Sequence, residues 1–144
     1  MQLRFRHAPS PWKVELGQEN GYVSAPKRTV QIANPASFLA QKILIHEQRD
    51  YKDKAKDLLY MHDTIEVFSE TLEELQKLFR NDVAPKLHAR WVAELEGAPE
   101  RLFGKVEDTI REAALMAAGR KLSPQRLAET AQAGLREVFG RKAA

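Results

Sequence analysis

Hydrophobic and polar positions change their rhythm near Asn34-Pro35. Before that point the alternation has a period of two, in Leu3-Arg4-Phe5-Arg6, Trp12-Lys13-Val14-Glu15-Leu16, Tyr22-Val23 and Thr29-Val30-Gln31-Ile32. That pattern predicts short strands with one buried face. Gly17-Gln18-Glu19-Asn20-Gly21 supplies turn residues for a hairpin, and Pro9, Pro11 and Pro26 suit edges and connections. Three or so short strands make a poor sheet by themselves. This segment is expected either to be covered by helices or to be the remainder of a larger sheet, which makes the chain look incomplete at its N-terminus.

After Pro35 the spacing becomes helical. Asn34 as cap and Pro35 in the first turn start a helix expected to reach about Arg49. A second helix is expected over about Asp53 to Phe68, where Leu58, Met61, Ile65 and Phe68 recur at three- and four-residue steps. Ser69 is the expected cap of a third, whose stripe is Leu72, Leu75, Phe79, Val83 and Leu87, with Pro85 kinking or splitting it. Gly97-Ala98-Pro99 reads as a break, followed by a fourth helix through Val106, Ile110, Ala114 and Ala117. Ser123-Pro124 opens a fifth through Leu127, Ala131, Leu135, Val138 and Phe139, with Gly140 as its stop. The expected class is α+β, mainly α: a short antiparallel β segment over residues 1–34, then a bundle of about five helices over 35–144, together one compact domain.

Composition narrows the chemistry. With 144 residues, 43% hydrophobic and 30% charged, the chain is an ordinary globular one. It has no cysteine, so disulfides, thiolate metal sites and a cysteine nucleophile are excluded, and a reducing cytoplasm is the expected compartment. No apolar run approaches the ~20 residues of a membrane helix, and the N-terminus lacks the apolar core of a signal peptide. A net charge of +3 is too small to argue nucleic-acid binding by itself.

One constellation stands out. Phe38, Lys42 and Ile45 project from one face of the first helix, and Leu39, Ile43 and Leu44 widen that apolar surface. A lysine placed there must snorkel outward or meet a counter-charge, because an unpaired buried ammonium is very costly. Asp57 lies four residues before Met61, at the edge of the next helix's buried stripe. Consecutive helices joined by a short link pack together, so a Lys42–Asp57 pair is expected. Two roles stay open for it: an ion pair tying two helices, or a lysine that contacts phosphate. Arg49, Lys52, Lys54 and Lys56 cluster at the same junction, as a solvated surface or a ligand platform.

The run Pro35-Ala36-Ser37-Phe38-Leu39-Ala40-Gln41-Lys42-Ile43-Leu44-Ile45-His46, with Arg49 and then Lys54-Ala55-Lys56-Asp57-Leu58-Leu59, resembles a signature of minimal nucleotidyltransferases of the DNA polymerase β-like superfamily. There a Pro and an aromatic, a helical Lys-Leu-like step, a downstream Arg and a Lys-Asp-Leu-like step follow the catalytic sheet. The similarity covers roughly residues 22–69. It implies nucleotidyl transfer from an NTP with Mg²⁺, with Lys42 and Asp57 as active-site supports and Arg49 and Lys54 as weaker ones. The family's chemistry also needs a Gly-Ser pair and an Asp-x-Asp or Glu-x-Asp element to hold triphosphate and metals. This sequence has no Gly-Ser and no Asp-x-Asp. Asp50 and Asp53, and Glu73-Glu74, do not replace them. The resemblance therefore implies the C-terminal, nucleotide- and acceptor-side region of such a protein, without catalytic residues or cofactors of its own. Its implied partner is the catalytic portion or a second copy.

Other chemistry is thin. His7, His46, His62 and His88 are scattered without metal-ligand spacing, although His46 and His62 would approach each other if their helices packed antiparallel. No nucleophile elbow and no phosphate-binding Gly-rich loop is present. The last two helices, joined by Gly119-Arg120-Lys121-Leu122-Ser123-Pro124, read as a helical hairpin or a helix-turn-helix, and Arg120, Lys121 and Arg126 are its candidate nucleic-acid contacts. The alternative to the nucleotidyltransferase reading is thus a non-enzymatic interaction module, binding nucleic acid or dimerising through a surplus apolar stripe.

Overall fold

The computed structural model describes residues 12–16, 28–32, 34–117 and 119–141. Two strands, β1 (Trp12–Leu16) and β2 (Arg28–Ile32), pair antiparallel with Trp12 opposite Ile32 and Leu16 opposite Arg28. A two-stranded ribbon is not a layer, because it cannot bury one face without further strands. The expected α+β class is therefore corrected to an all-α fold. The buried cluster comes from the helical part of the chain, and the only sheet among the described residues is this two-stranded ribbon. The expected segments at 3–6 and 22–23 and the turn at 17–21 lie outside the described residues.

Among those residues there are six α-helices, not about five: α1 (Pro35–Ile45), α2 (Tyr51–Val67), α3 (Leu72–Leu78), α4 (Ala89–Phe103), α5 (Asp108–Met116) and α6 (Pro124–Phe139). The caps are local and explicit. Asn34 accepts from the Ser37 N–H at 2.8 Å, Asp50 from Asp53 at 2.9 Å and Ser123 from Arg126 at 3.1 Å. The first helix ends at Ile45 and tightens into a 3-10 turn over His46–Gln48. The second begins at Tyr51, because Asp50 rather than a later residue is its cap. Ser69 caps nothing; Thr71 precedes α3 instead. That helix widens into a π turn at Phe79–Val83 and closes in a 3-10 turn, Ala84–Lys86, which contains Pro85.

The largest departure is α4. Gly97-Ala98-Pro99 was expected to break the chain, yet all three lie inside this helix. Proline removes one helical N–H and crowds the carbonyl four residues earlier. Here Ala98 and Pro99 are both buried, and α4 lies along α6, so tertiary packing outweighs local preference. Near the opened turn, Arg101 Nη1 donates to the Glu94 carbonyl at 3.2 Å. A helix was missed because a proline that would ordinarily interrupt one, Pro99, is packed into the core.

α6 is the hub. It packs against α2, α3, α4 and α5, and buries Leu127, Ala131, Leu135, Val138 and Phe139 among them. Phe139 meets Phe79 edge to face, with ring centroids 4.7 Å apart. Arg80 Nη2 donates to the carbonyls of Phe139 (3.3 Å) and Gly140 (3.0 Å), satisfying the C-terminal end of α6. α5 runs alongside α2 in the same direction: the Tyr51 hydroxyl donates to the Asp108 carbonyl at one end, and Arg120 grips Asp63 at the other.

Where α2 crosses α6, Gly134 faces the Ile65 side chain so closely that a Cβ would collide with it. Gly134→Ala is expected to cost about 1–3 kcal/mol through overpacking. Gly97→Ala, in open space on α4, is expected to be neutral or to stabilise by about 0.5–1 kcal/mol. Urea unfolding of both variants checks the pair; equal behaviour would contradict the packing described.

Candidate functional site: a buried carboxylate between two cations

α1 and α2 meet across a short link, and Asp57 lies at the centre of the junction with no exposed surface. Lys42 Nζ donates to its Oδ1 at 3.1 Å, and Arg49 Nε to its Oδ2 at 2.9 Å. Each carboxylate oxygen therefore has its own charged donor. The cations are only partly covered, with Lys42 20% and Arg49 30% exposed. The helical steps explain the arrangement. Leu39, Ile43 and Leu44 carry α1 into the core and leave Lys42 at its edge, while Ala55, Leu58 and Met61 do the same for Asp57 on α2. Lys42 Nζ is 5.8 Å from the ring centroids of both Phe38 and Tyr60, so two aromatic faces border the ammonium. Hydrogen bonding to Asp57, with its negative charge, raises the Arg49 pKa above its ordinary value.

Of the four residues implied by the resemblance, the structure thus brings together Lys42, Asp57 and Arg49. Lys54 stands aside and pairs with Glu47 at 3.8 Å. Asp50 and Asp53 are helix-start residues: Asp50 caps α2, and Asp53 pairs with Arg49 at 3.9 Å and Lys56 at 3.5 Å. Tyr60, not singled out in the sequence, contributes an exposed ring beside Lys42. Its place three residues beyond Asp57 on α2 was the available signal.

The three basic candidates near the α5–α6 link also converge. Arg120, Lys121 and Arg126 line one cleft of about 490 Å³ with His62, Asp63, Glu66, Val67 and Leu122. Arg120 is engaged bidentately by Asp63 at 2.9 and 3.2 Å. Burial pushes the Asp63 carboxyl up, but hydrogen bonds from Arg120 and His62 outweigh it and hold it below the ordinary range. Nothing in the sequence links position 63 to position 120.

His46 and His62 are both buried, His46 just beyond α1 and His62 on α2. Burial lowers the His46 pKa, with a smaller opposing contribution from Glu47, and its Nδ1 has no hydrogen-bond partner. Among the described residues no three His, Cys, Asp or Glu side chains are gathered to hold a metal ion, and no helix is long and apolar enough to cross a membrane. No protein-family model, no curated protein and no solved structure matches this chain.

Two outcomes follow from the geometry. Lys42→Met leaves a fully buried carboxylate with one donor instead of two, and is expected to cost about 1.5–3 kcal/mol in urea unfolding; a loss below about 0.5 kcal/mol would contradict the pairing. His46 folds in its neutral form, and its folded pKa lies below the unfolded value of about 6.5. Its contribution is therefore complete above about pH 6.5 and declines as pH falls toward the lower folded pKa. Thermal unfolding across that window is expected to show a downward slope that His46→Gln flattens.

Proposed function

We propose that this chain is the nucleotide- and acceptor-side helical region of a nucleotidyltransferase-like protein and does not catalyse transfer by itself. One observation carries the reading: two cations, Lys42 and Arg49, are fixed on a single buried carboxylate, Asp57, at three positions that match the family's motif. A lysine ammonium has three donors, and Asp57 occupies one of Lys42's. The others are free to turn toward a triphosphate oxygen, and the partial exposure of Lys42 leaves a path to them. Arg49 spends Nε on Asp57, so its outer guanidinium nitrogens keep hydrogen-bonding capacity of the same kind. Asp57 here is a positioning residue. It holds both cations in place before a ligand arrives, which lowers the ordering cost of binding.

The residues present do not fit a resident Mg²⁺. Both oxygens of Asp57 are committed to cations, Asp53 faces Arg49 and Lys56, and no further carboxylate joins them among the described residues. No reaction step is assigned to this chain. In the proposed role, the Gly-Ser and paired-acid elements come from another segment or polypeptide.

Titration of the chain with a fluorescent ATP analogue tests the reading. Binding by the parent is expected, with affinity at least about tenfold weaker in a folded Lys42→Met variant, a difference of roughly 1.4 kcal/mol. Absence of binding by the parent at millimolar nucleotide, or equal binding by both, would overturn it. Incubation with labelled NTPs, Mg²⁺ or Mn²⁺ and RNA, tRNA or protein acceptors is expected to give no incorporation; robust transfer would refute the inactive assignment.

A further inference from the structure

The second cleft carries chemistry that the α1–α2 clamp does not use. It opens between the C-terminal half of α2 and the start of α6, and the α5–α6 link forms its rim. Gly119, at φ 93°, turns the chain in the left-handed region and delivers Arg120 and Lys121 to that rim. Arg120 is spent on Asp63, which fastens the link to α2. Lys121 and Arg126 are both exposed, and neither has an acidic partner among the described residues. They flank the first turn of α6, whose Ser123 side chain caps Arg126. Proline at the first helical position offers no N–H, so the Gln125 N–H is the remaining unfilled donor of that turn. Two cations without an acidic partner among the described residues thus line one volume.

An independent observation points the same way. The His62 side chain is 4% exposed and lines this cleft. Its Nδ1 sits 3.0 Å from Asp63 Oδ1, which as an ionised carboxylate only accepts, so Nδ1 carries the hydrogen. Its Nε2 turns toward Glu66, 3.6 Å from Oε1, and makes no hydrogen bond. A buried imidazole nitrogen without a partner beside an anion-attracting rim is what a site looks like when one of its groups waits for a ligand oxygen. Glu66, half exposed, also lines the cleft and is the carboxylate nearest Nε2.

We propose that this cleft binds a phosphate monoester. Lys121 and Arg126 hold the phosphate oxygens, and His62 Nε2 completes the set when Glu66 swings aside. Nε2, an acceptor in the Nδ1–H tautomer, then accepts a hydrogen bond from the hydroxyl of a singly protonated phosphate. The volume, about 490 Å³, exceeds that of a bare phosphate, and Val67 and Leu122 give the organic part of the ester an apolar wall. The proposal goes beyond the α1–α2 reading and does not rest on it. The same monoester chemistry occurs in a free mononucleotide and at the 5′ end of a nucleic-acid strand.

The test is titration followed by amide NMR in the Lys42→Met background, which removes the α1–α2 cation from the readout. The probes are inorganic phosphate, AMP, adenosine, and a short DNA strand with either a 5′-phosphate or a 5′-hydroxyl. AMP is expected to shift Glu66, Lys121, Gln125 and Arg126 more than adenosine does. Lys121→Glu with Arg126→Glu is expected to weaken AMP binding by at least about tenfold, as charge-assisted contacts become repulsive. Glu66→Gln is expected to strengthen it several-fold, a gain that a merely structural Glu66 would not give. Tighter binding of the 5′-phosphorylated strand than of AMP assigns the site to strand ends, and equal or weaker binding assigns it to free monoesters; either supports the proposal. No shifts with AMP, shifts that survive the double charge reversal, or equal binding of the 5′-hydroxyl strand would overturn it.

Discussion

A carboxylate with no contact to water cannot remain charged in a protein interior unless cations come to it. Asp57 is such a group, and much of the α1–α2 junction follows from its requirement. Lys42 is drawn to the edge of an otherwise apolar helix face, and Arg49 is drawn back from the link. The 3-10 turn at His46–Gln48 shortens the path between the two helices. Truncating either cation would leave buried charge under-compensated, whereas the cations themselves can reach solvent. That asymmetry makes Asp57 the organiser and Lys42 and Arg49 the groups with capacity to spare.

The same logic recurs at the other end of α2 with a different outcome. Asp63 is also anchored by an arginine, Arg120, but at an exposed rim, so this pair mainly fastens the α5–α6 link in place. Beside it lie an imidazole nitrogen that makes no hydrogen bond and two cations without an acidic partner among the described residues. α2 thus carries two acid–arginine hydrogen bonds, a buried one at Asp57 and a surface one at Asp63 that borders a cleft.

How much of this could be read from the residues depends on how far apart the partners lie. Phe38, Lys42 and Ile45 on one helix, with Asp57 at the edge of the next stripe, are local patterns, and the first contact they implied is present. The α6 span was equally plain, because Ser123-Pro124 and Gly140 are caps and stops whose meaning is local. α4 was hidden: Gly97-Ala98-Pro99 carries every local sign of a break, and only the packing of Ala98 and Pro99 into the core keeps the helix intact. The N-terminal alternation suggested a sheet, but periodicity cannot say how many strands will gather, and the two that pair among the described residues do not make a layer. The Arg120–Asp63 contact joins residues 57 apart in the chain, and no spacing rule reaches that far.

The α1–α2 junction depends on coupling between Lys42 and Asp57. A double-mutant cycle in urea with Lys42→Met, Asp57→Asn and the combined variant measures it directly. A coupling energy of about 1 kcal/mol or more is expected, with the double variant less destabilised than the sum of the singles. Additive effects within about 0.3 kcal/mol would show that the two side chains do not depend on each other, and would contradict it.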